Sequence, residues 1–109
     1  MSDPTPFVVS ITPDASADIL AAVAWYEGQR LGLSQDFLAA LLAVRARLAQ
    51  MPRSFPLVPG LASTHQAPIA RFPYRLIFRI YEQRVVVGAC LHQRRDPAVL
   101  HDRFRNQDN

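Results

Sequence analysis

Arg71, Arg75, Arg79, His92, Arg94 and Arg95 all fall in one stretch, RFPYRLIFRIYEQRVVVGACLHQRRDP, running from Arg71 to Pro97. A guanidinium offers planar, paired donors, so two of them on a rigid support can clamp a phosphate or a carboxylate. Arg75 on one strand and Arg95 just past the end of the next would approach each other across a sheet face. There they could stabilise charge building on a transferring phosphoryl group, while His92 moved a proton near neutral pH. Such a set would suffice for RNA cleavage, because the 2′-hydroxyl is itself the nucleophile. It would equally serve to bind an anionic partner with no reaction at all. In a purely structural reading, Arg94 and Arg95 cap carbonyls or pair with Asp96 and Asp102, and His92 closes a strand end. The residue types leave all three readings open.

Other chemistries have little to stand on. His65, His92 and His101 belong to three different elements and Cys90 lies in an apolar run, so no zinc site is expected. There is no glycine-rich phosphate loop and no nucleophile elbow. The two glutamates, Glu27 and Glu82, read as surface or turn residues, and no cofactor is implied. Cys90 reads as a buried packing thiol. Trp25 and Tyr26 would offer a stacking platform for bases, but Tyr26 continues an apolar helical stripe and reads first as packing.

Strands must position the arginines. Tyr74 to Tyr81 alternates cleanly, with Tyr74, Leu76, Phe78 and Ile80 on one face and Arg75, Ile77, Arg79 and Tyr81 on the other. A turn at Glu82-Gln83 leads into Val85–His92, apolar on both faces and therefore central. Thr64 to Phe72 reads as an edge strand, because Pro68 cannot donate to a ladder. Phe7 to Ile11 is a short β-branched strand, expected to join the sheet beside a later strand. Thr12-Pro13-Asp14 then opens a helix to about Gln29, with Thr12 as cap. Ser34 is expected to cap a second helix, whose wide stripe is Phe37, Leu38, Leu41, Leu42, Val44 and Leu48, ending near Gln50 before Pro52. Asp96-Pro97 would open a short closing helix through Phe104. The fold class is α+β: an antiparallel helical hairpin covers one face of a small sheet, and the opposite face, with Arg75 and Arg79, is expected to be open and basic.

At 109 residues the chain is one domain, with 1–6 and 106–109 as expected flexible tails. No apolar run is long enough to span a bilayer. The start, MSDPTPFVVSITPD, lacks the basic residue and long apolar run of a secretory signal, and a lone cysteine suits a reducing compartment, so a cytoplasmic location is expected. All twelve basic side chains are arginine. Residues 1–50 carry three arginines against five acids, a charge of −2; residues 51–109 carry nine against four, +5, giving +3 in all. A basic C-terminal half suits an acidic or polyanionic partner.

The order β-α-α-β-β-β, the WYE late in the first helix, the RFPYRLIFRI strand, the VVV strand and the closing HQRRDP resemble the RelE/ParE superfamily of toxins from type II toxin–antitoxin pairs. The resemblance spans about Phe7 to Phe104, and FPYR with H-x-RRDP is most similar to the ParE branch. It implies a RelE-like fold and, for the ParE branch, inhibition of DNA gyrase without catalytic side chains. The alternative it implies is a RelE-like ribosome-dependent mRNA endoribonuclease, using Arg75, Arg95 and His92 or His101. Carried over residue by residue, the RelE arginines match Arg75 and Arg95. The RelE lysine pair falls near Gln66 and Pro68, and the tyrosine falls near His101. The resemblance therefore implies that Arg71, Arg75, Arg79, Arg94 and Arg95 form a target-binding surface. It also implies an antitoxin whose C-terminal segment folds as it binds, with Trp25, Leu31 and Leu33 as docking points.

Overall fold

The computed structural model describes residues 5–100 and 103–104. Strand β1 (Val8–Ile11) leads directly into helix α1 (Pro13–Glu27). Thr12 caps that helix as its sequence predicts, its Oγ1 accepting from the Ala15 N–H at 3.2 Å. Ala15, Ile19, Ala22 and Tyr26 are the buried positions of α1, a spacing that keeps one face toward the sheet. Helix α2 (Leu33–Gln50) starts earlier than expected. Gly32, not Ser34, holds the cap position, at φ +85, because the tight link after α1 needs a left-handed residue there. The buried stripe of α2 is also narrower: Phe37, Leu41, Val44 and Leu48 face inward, whereas Leu42 is largely exposed and Leu38 partly so.

Strands β2 (His65–Pro68), β3 (Tyr74–Tyr81) and β4 (Arg84–His92) follow, and the sheet order is β1-β4-β3-β2. β1 runs parallel to β4, while β4–β3 and β3–β2 are antiparallel. The edge strand β2 is shorter than the sequence suggests. It stops at Pro68, which has no N–H, and Arg71 then takes a left-handed φ of +70 that no strand can continue. Its outer edge is covered by the preceding loop: Gln66 N–H donates to the Pro56 carbonyl at 2.9 Å, and Val58 N–H to Thr64 at 2.7 Å.

Two apolar layers result. Both helices cover one sheet face, where Ile19, Tyr26, Phe37, Leu41 and Leu48 meet Leu76, Phe78, Val85 and Val87. The other face is not open. Ile77, Val86, Ala89 and Leu91 are buried there beneath Val58 and Leu61 from one side and Leu100 and Phe104 from the other. Pro97–Leu100 is a 3₁₀ segment and Arg103 and Phe104 lie in a turn, so the closing helix expected through Phe104 is not continuous over the described residues. A bulge makes this second layer possible. Ile77 pairs with Ala89 and Phe78 with Val87, so Gly88 is the extra residue. A Cβ on Gly88 would stand 2.5 Å from the Phe104 ring, so only glycine lets that ring lie on the strand.

Candidate functional site

The arginines divide into two groups, and only one of them faces solvent. Arg75 donates from Nη1 to Gln66 Oε1 at 2.5 Å and from Nη2 to the Arg95 carbonyl at 3.1 Å. It thus ties the edge strand β2 to the turn after β4. Arg79 donates from Nε to Thr64 Oγ1 at 3.0 Å, and its guanidinium lies 4.6 Å over the Phe104 ring. Both side chains brace the second layer. The expected open basic face is therefore a small core with arginine struts. Its cause is the covering by segments distant in sequence.

Arg71, Arg94 and Arg95 are exposed and stand at the end of the sheet where β3 begins and β4 ends, beside Arg75 and away from Arg79. The backbone joins them there: Gln93 N–H donates to Pro73 at 2.9 Å and Arg95 N–H to His92 at 2.9 Å. His92 accepts at Nδ1 from the Arg94 N–H at 3.1 Å, which in the neutral ring leaves the proton on Nε2. The imidazole closes the turn that presents the two arginines. Tyr74, directly opposite His92 in the ladder, meets it edge-on at 5.2 Å between ring centres. Burial pushes the Tyr26 and Tyr74 phenols up from their ordinary value, so both remain protonated at neutral pH.

Trp25 stands over this end from α1, 58% exposed, its ring edge-on to Tyr26 at 5.1 Å. Sequence reasoning placed Trp25 and the arginines in separate roles; the fold brings them to one end of the sheet. Leu31 is 98% exposed in the inter-helix link, whereas Leu33 is half-buried against the helix-side core and offers less to a partner. His101 lies outside the described residues.

Sequence reasoning did not find the pair that fixes this geometry. Asp18 on α1 and Arg103 meet at 3.1 Å, while Arg103 also reaches the Gly88 carbonyl at 3.1 Å and lies 3.8 Å from Asp14. No local pattern signals a contact between residues so far apart in the chain. Cys90 packs beside them with its thiol pushed up to about 12, first by burial and then by the Asp18 carboxylate. It is no nucleophile at neutral pH. Among the described residues no group of three His, Cys, Asp or Glu stands together in a way that could hold a metal ion. None of the described helices is long and apolar enough to cross a membrane.

Residues 9–97 match the profile of a family described as the ParE toxin of the type II toxin–antitoxin system, parDE. Among solved structures, the chain is similar to one from a chromosomal ParDE toxin–antitoxin system of P. aeruginosa. That match has a TM-score of 0.69 and 15% identity, and covers 82% of this chain and 98% of the other. It is also similar to a chain of the RelBE2 toxin–antitoxin complex of Mycobacterium tuberculosis, with a TM-score of 0.59 and 28% identity over 80% of this chain and 98% of that one. No curated protein matches the sequence.

Proposed function

The chain belongs to the ParE toxin family of type II toxin–antitoxin systems, and from that premise we propose that it is a binding toxin directed at DNA gyrase. Its cognate antitoxin holds it inactive, and both partners meet it in the cytoplasm. The observation that carries this reading is the closed second face of the sheet. RNA cleavage needs an open basic basin in which arginines reach a phosphate. Here Leu100 and Phe104 fill that face, Arg79 stacks on Phe104, and Arg75 is held by Gln66 and the Arg95 carbonyl. What remains exposed is a rigid end bearing Arg71, Arg94 and Arg95, a surface suited to binding rather than turnover.

One observation favours the runner-up, a RelE-like endoribonuclease: Arg75 and Arg95 are neighbours, as that activity would require. The contact runs to the backbone carbonyl of Arg95, however, and with the bond to Gln66 it engages the Arg75 guanidinium in holding the fold. Expression without antitoxin tests the leading reading. Growth should stop, and purified gyrase with ATP should lose supercoiling activity or accumulate cleaved DNA. Arrested cells with fully normal gyrase would count against it.

A further inference from the structure

Four arginines outside the site described above stand at the opposite end of the sheet, where β1 and β4 begin. Arg45 and Arg47 lie in the last turns of α2, Arg53 follows in the 3₁₀ turn Pro52–Ser54, and Arg84 opens β4. Backbone bonds draw these segments together: Phe7 N–H donates to the Ala49 carbonyl at 2.8 Å and Val8 N–H to the Gln83 carbonyl at 2.9 Å. Three of the guanidiniums lie on rings, Arg47 over Phe55 at 4.7 Å, Arg53 over Phe7 at 5.5 Å and Arg84 over Tyr81 at 5.5 Å. Arg45 lines the groove between α2 and β1 together with Phe7 and Val9. A guanidinium stacked on a ring gives up freedom of movement while its N–H edges can still meet a ligand. All four residues are exposed.

Among the described residues none of the four side chains makes an ion pair or a hydrogen bond, in contrast to Arg75, Arg79 and Arg103. Glu82 in the β3–β4 turn is the one acid in residues 45–55 and 81–84. Folding explains only part of this. Arg47 suits the negative end of the α2 dipole, but Arg53 and Arg84 lie outside that helix. Like charges gathered without a counter-charge repel one another in the free protein and favour a polyanion.

We infer that this end of the toxin binds the phosphate backbone of duplex DNA. The rings here lie beneath arginines and offer no open platform for unstacked bases, which sets single strands aside. Duplex DNA carries one charge per about 1.7 Å of helix axis, a density that several arginines can meet together. Contacts of this kind position a protein on DNA and read no sequence. Val8 and Met51 are exposed nearby, so an acidic protein is the competing occupant and enters the test. Gyrase need not be the target for this surface to act, since it adds affinity for any target that is itself bound to DNA.

The test is fluorescence anisotropy of a short labelled duplex of arbitrary sequence, titrated with the full-length toxin over a range of salt. The plot of log K against log salt should have a slope of about −3 to −4, about 0.9 for each of four phosphate contacts. Arg45→Gln, Arg47→Gln and Arg53→Gln together should weaken binding about tenfold or more at low salt and flatten the slope by about 2–3. The matching triple of lysines alters the ring contacts but keeps the charge, and should stay within about threefold of wild type. Equal affinity in the glutamine triple, or an equal loss in the lysine triple at the same thermal midpoint, would overturn the assignment. A wild-type slope near zero would overturn it even if the glutamine triple did not fold. Tighter binding of the single strand would also overturn it, as would displacement of the duplex by polyglutamate at equal charge, which would give the surface to an acidic protein. Duplex binding by a toxin inert toward gyrase would leave the assignment standing and refute only the target.

Discussion

Asp18 and Arg103 face each other at 3.1 Å across the edge of β4, at the point where β1 has ended. β1 pairs with β4 as far as Ile11 opposite Val87. Beyond that register the edge of β4 would expose unpaired backbone groups. Asp18 Oδ2 accepts from the Cys90 N–H at 3.0 Å, and Arg103 donates to the Gly88 carbonyl at 3.1 Å. The ion pair thus supplies one acceptor and one donor in place of a missing strand. It also holds the C-terminal segment against α1, which keeps the second face of the sheet covered.

Removing the acceptor should therefore cost more than a surface ion pair would. Asp18→Ala leaves the Cys90 N–H and the Arg103 guanidinium without their partner, and a destabilisation of about 1–3 kcal/mol is expected. Exposed pairs contribute about 0.2–1 kcal/mol. Urea unfolding of Asp18→Ala, Arg103→Ala and the double variant measures this. The double variant should lose less than the sum of the singles, because the two residues act as one unit. Strict additivity would show that each acts alone.

The Gly88 bulge and the Phe104 ring make a second prediction. Gly88→Ala forces a methyl to 2.5 Å from the ring and should cost about 1–3 kcal/mol through overpacking. Phe104→Ala should cost about 3–5 kcal/mol by emptying the second layer. In the Phe104→Ala background the added methyl should be tolerated. Thermal melts of the two single variants and the double variant would show the non-additivity directly.

Alkaline conditions should weaken the fold through Cys90. Burial and Asp18 push its thiol from 9.0 up to about 12 in the folded chain. The folded state disfavours the thiolate, so this contribution is fully present below about pH 9. It is lost as pH rises toward 12, while the unfolded chain deprotonates first. Tyr26 and Tyr74, also raised by burial, act in the same direction at higher pH. A thiol reagent at pH 8 should label Cys90 only on unfolding, and Cys90→Ala should flatten the stability profile above pH 9. Rapid labelling of the native protein at pH 8 would contradict the burial.

Much of this architecture was legible in the residues. The span Tyr74–Tyr81 follows from clean alternation, the central place of β4 from apolarity on both faces, and the start of α1 from Thr12-Pro13. The open basic face was misjudged, although its correction was in view. Ile77 lies between Arg75 and Arg79 on that face, and Val86 and Leu91 are apolar where solvent was expected. Apolar side chains there require a cover, but nothing local names Val58, Leu61, Leu100 and Phe104 as that cover. Asp18 with Arg103 was illegible for the same reason, since long-range pairs leave no periodic trace. The end cluster was half-legible. The family resemblance marks Arg71, Arg94 and Arg95 as a surface and Trp25 as a docking point, but only the β3–β4 register and the packing of α1 on β4 put them at one end.

The central proposal is that this toxin binds gyrase and does not cut RNA. It is tested most directly by assaying one preparation in parallel on purified gyrase with ATP and on translating ribosomes with mRNA, for wild type and Arg75→Ala. The account predicts accumulated cleaved DNA or lost supercoiling with gyrase, intact mRNA on the ribosome, and an Arg75→Ala variant whose main defect is a lower thermal midpoint. Codon-phased mRNA cuts that vanish in a well-folded Arg75→Ala variant, with gyrase untouched, would contradict it.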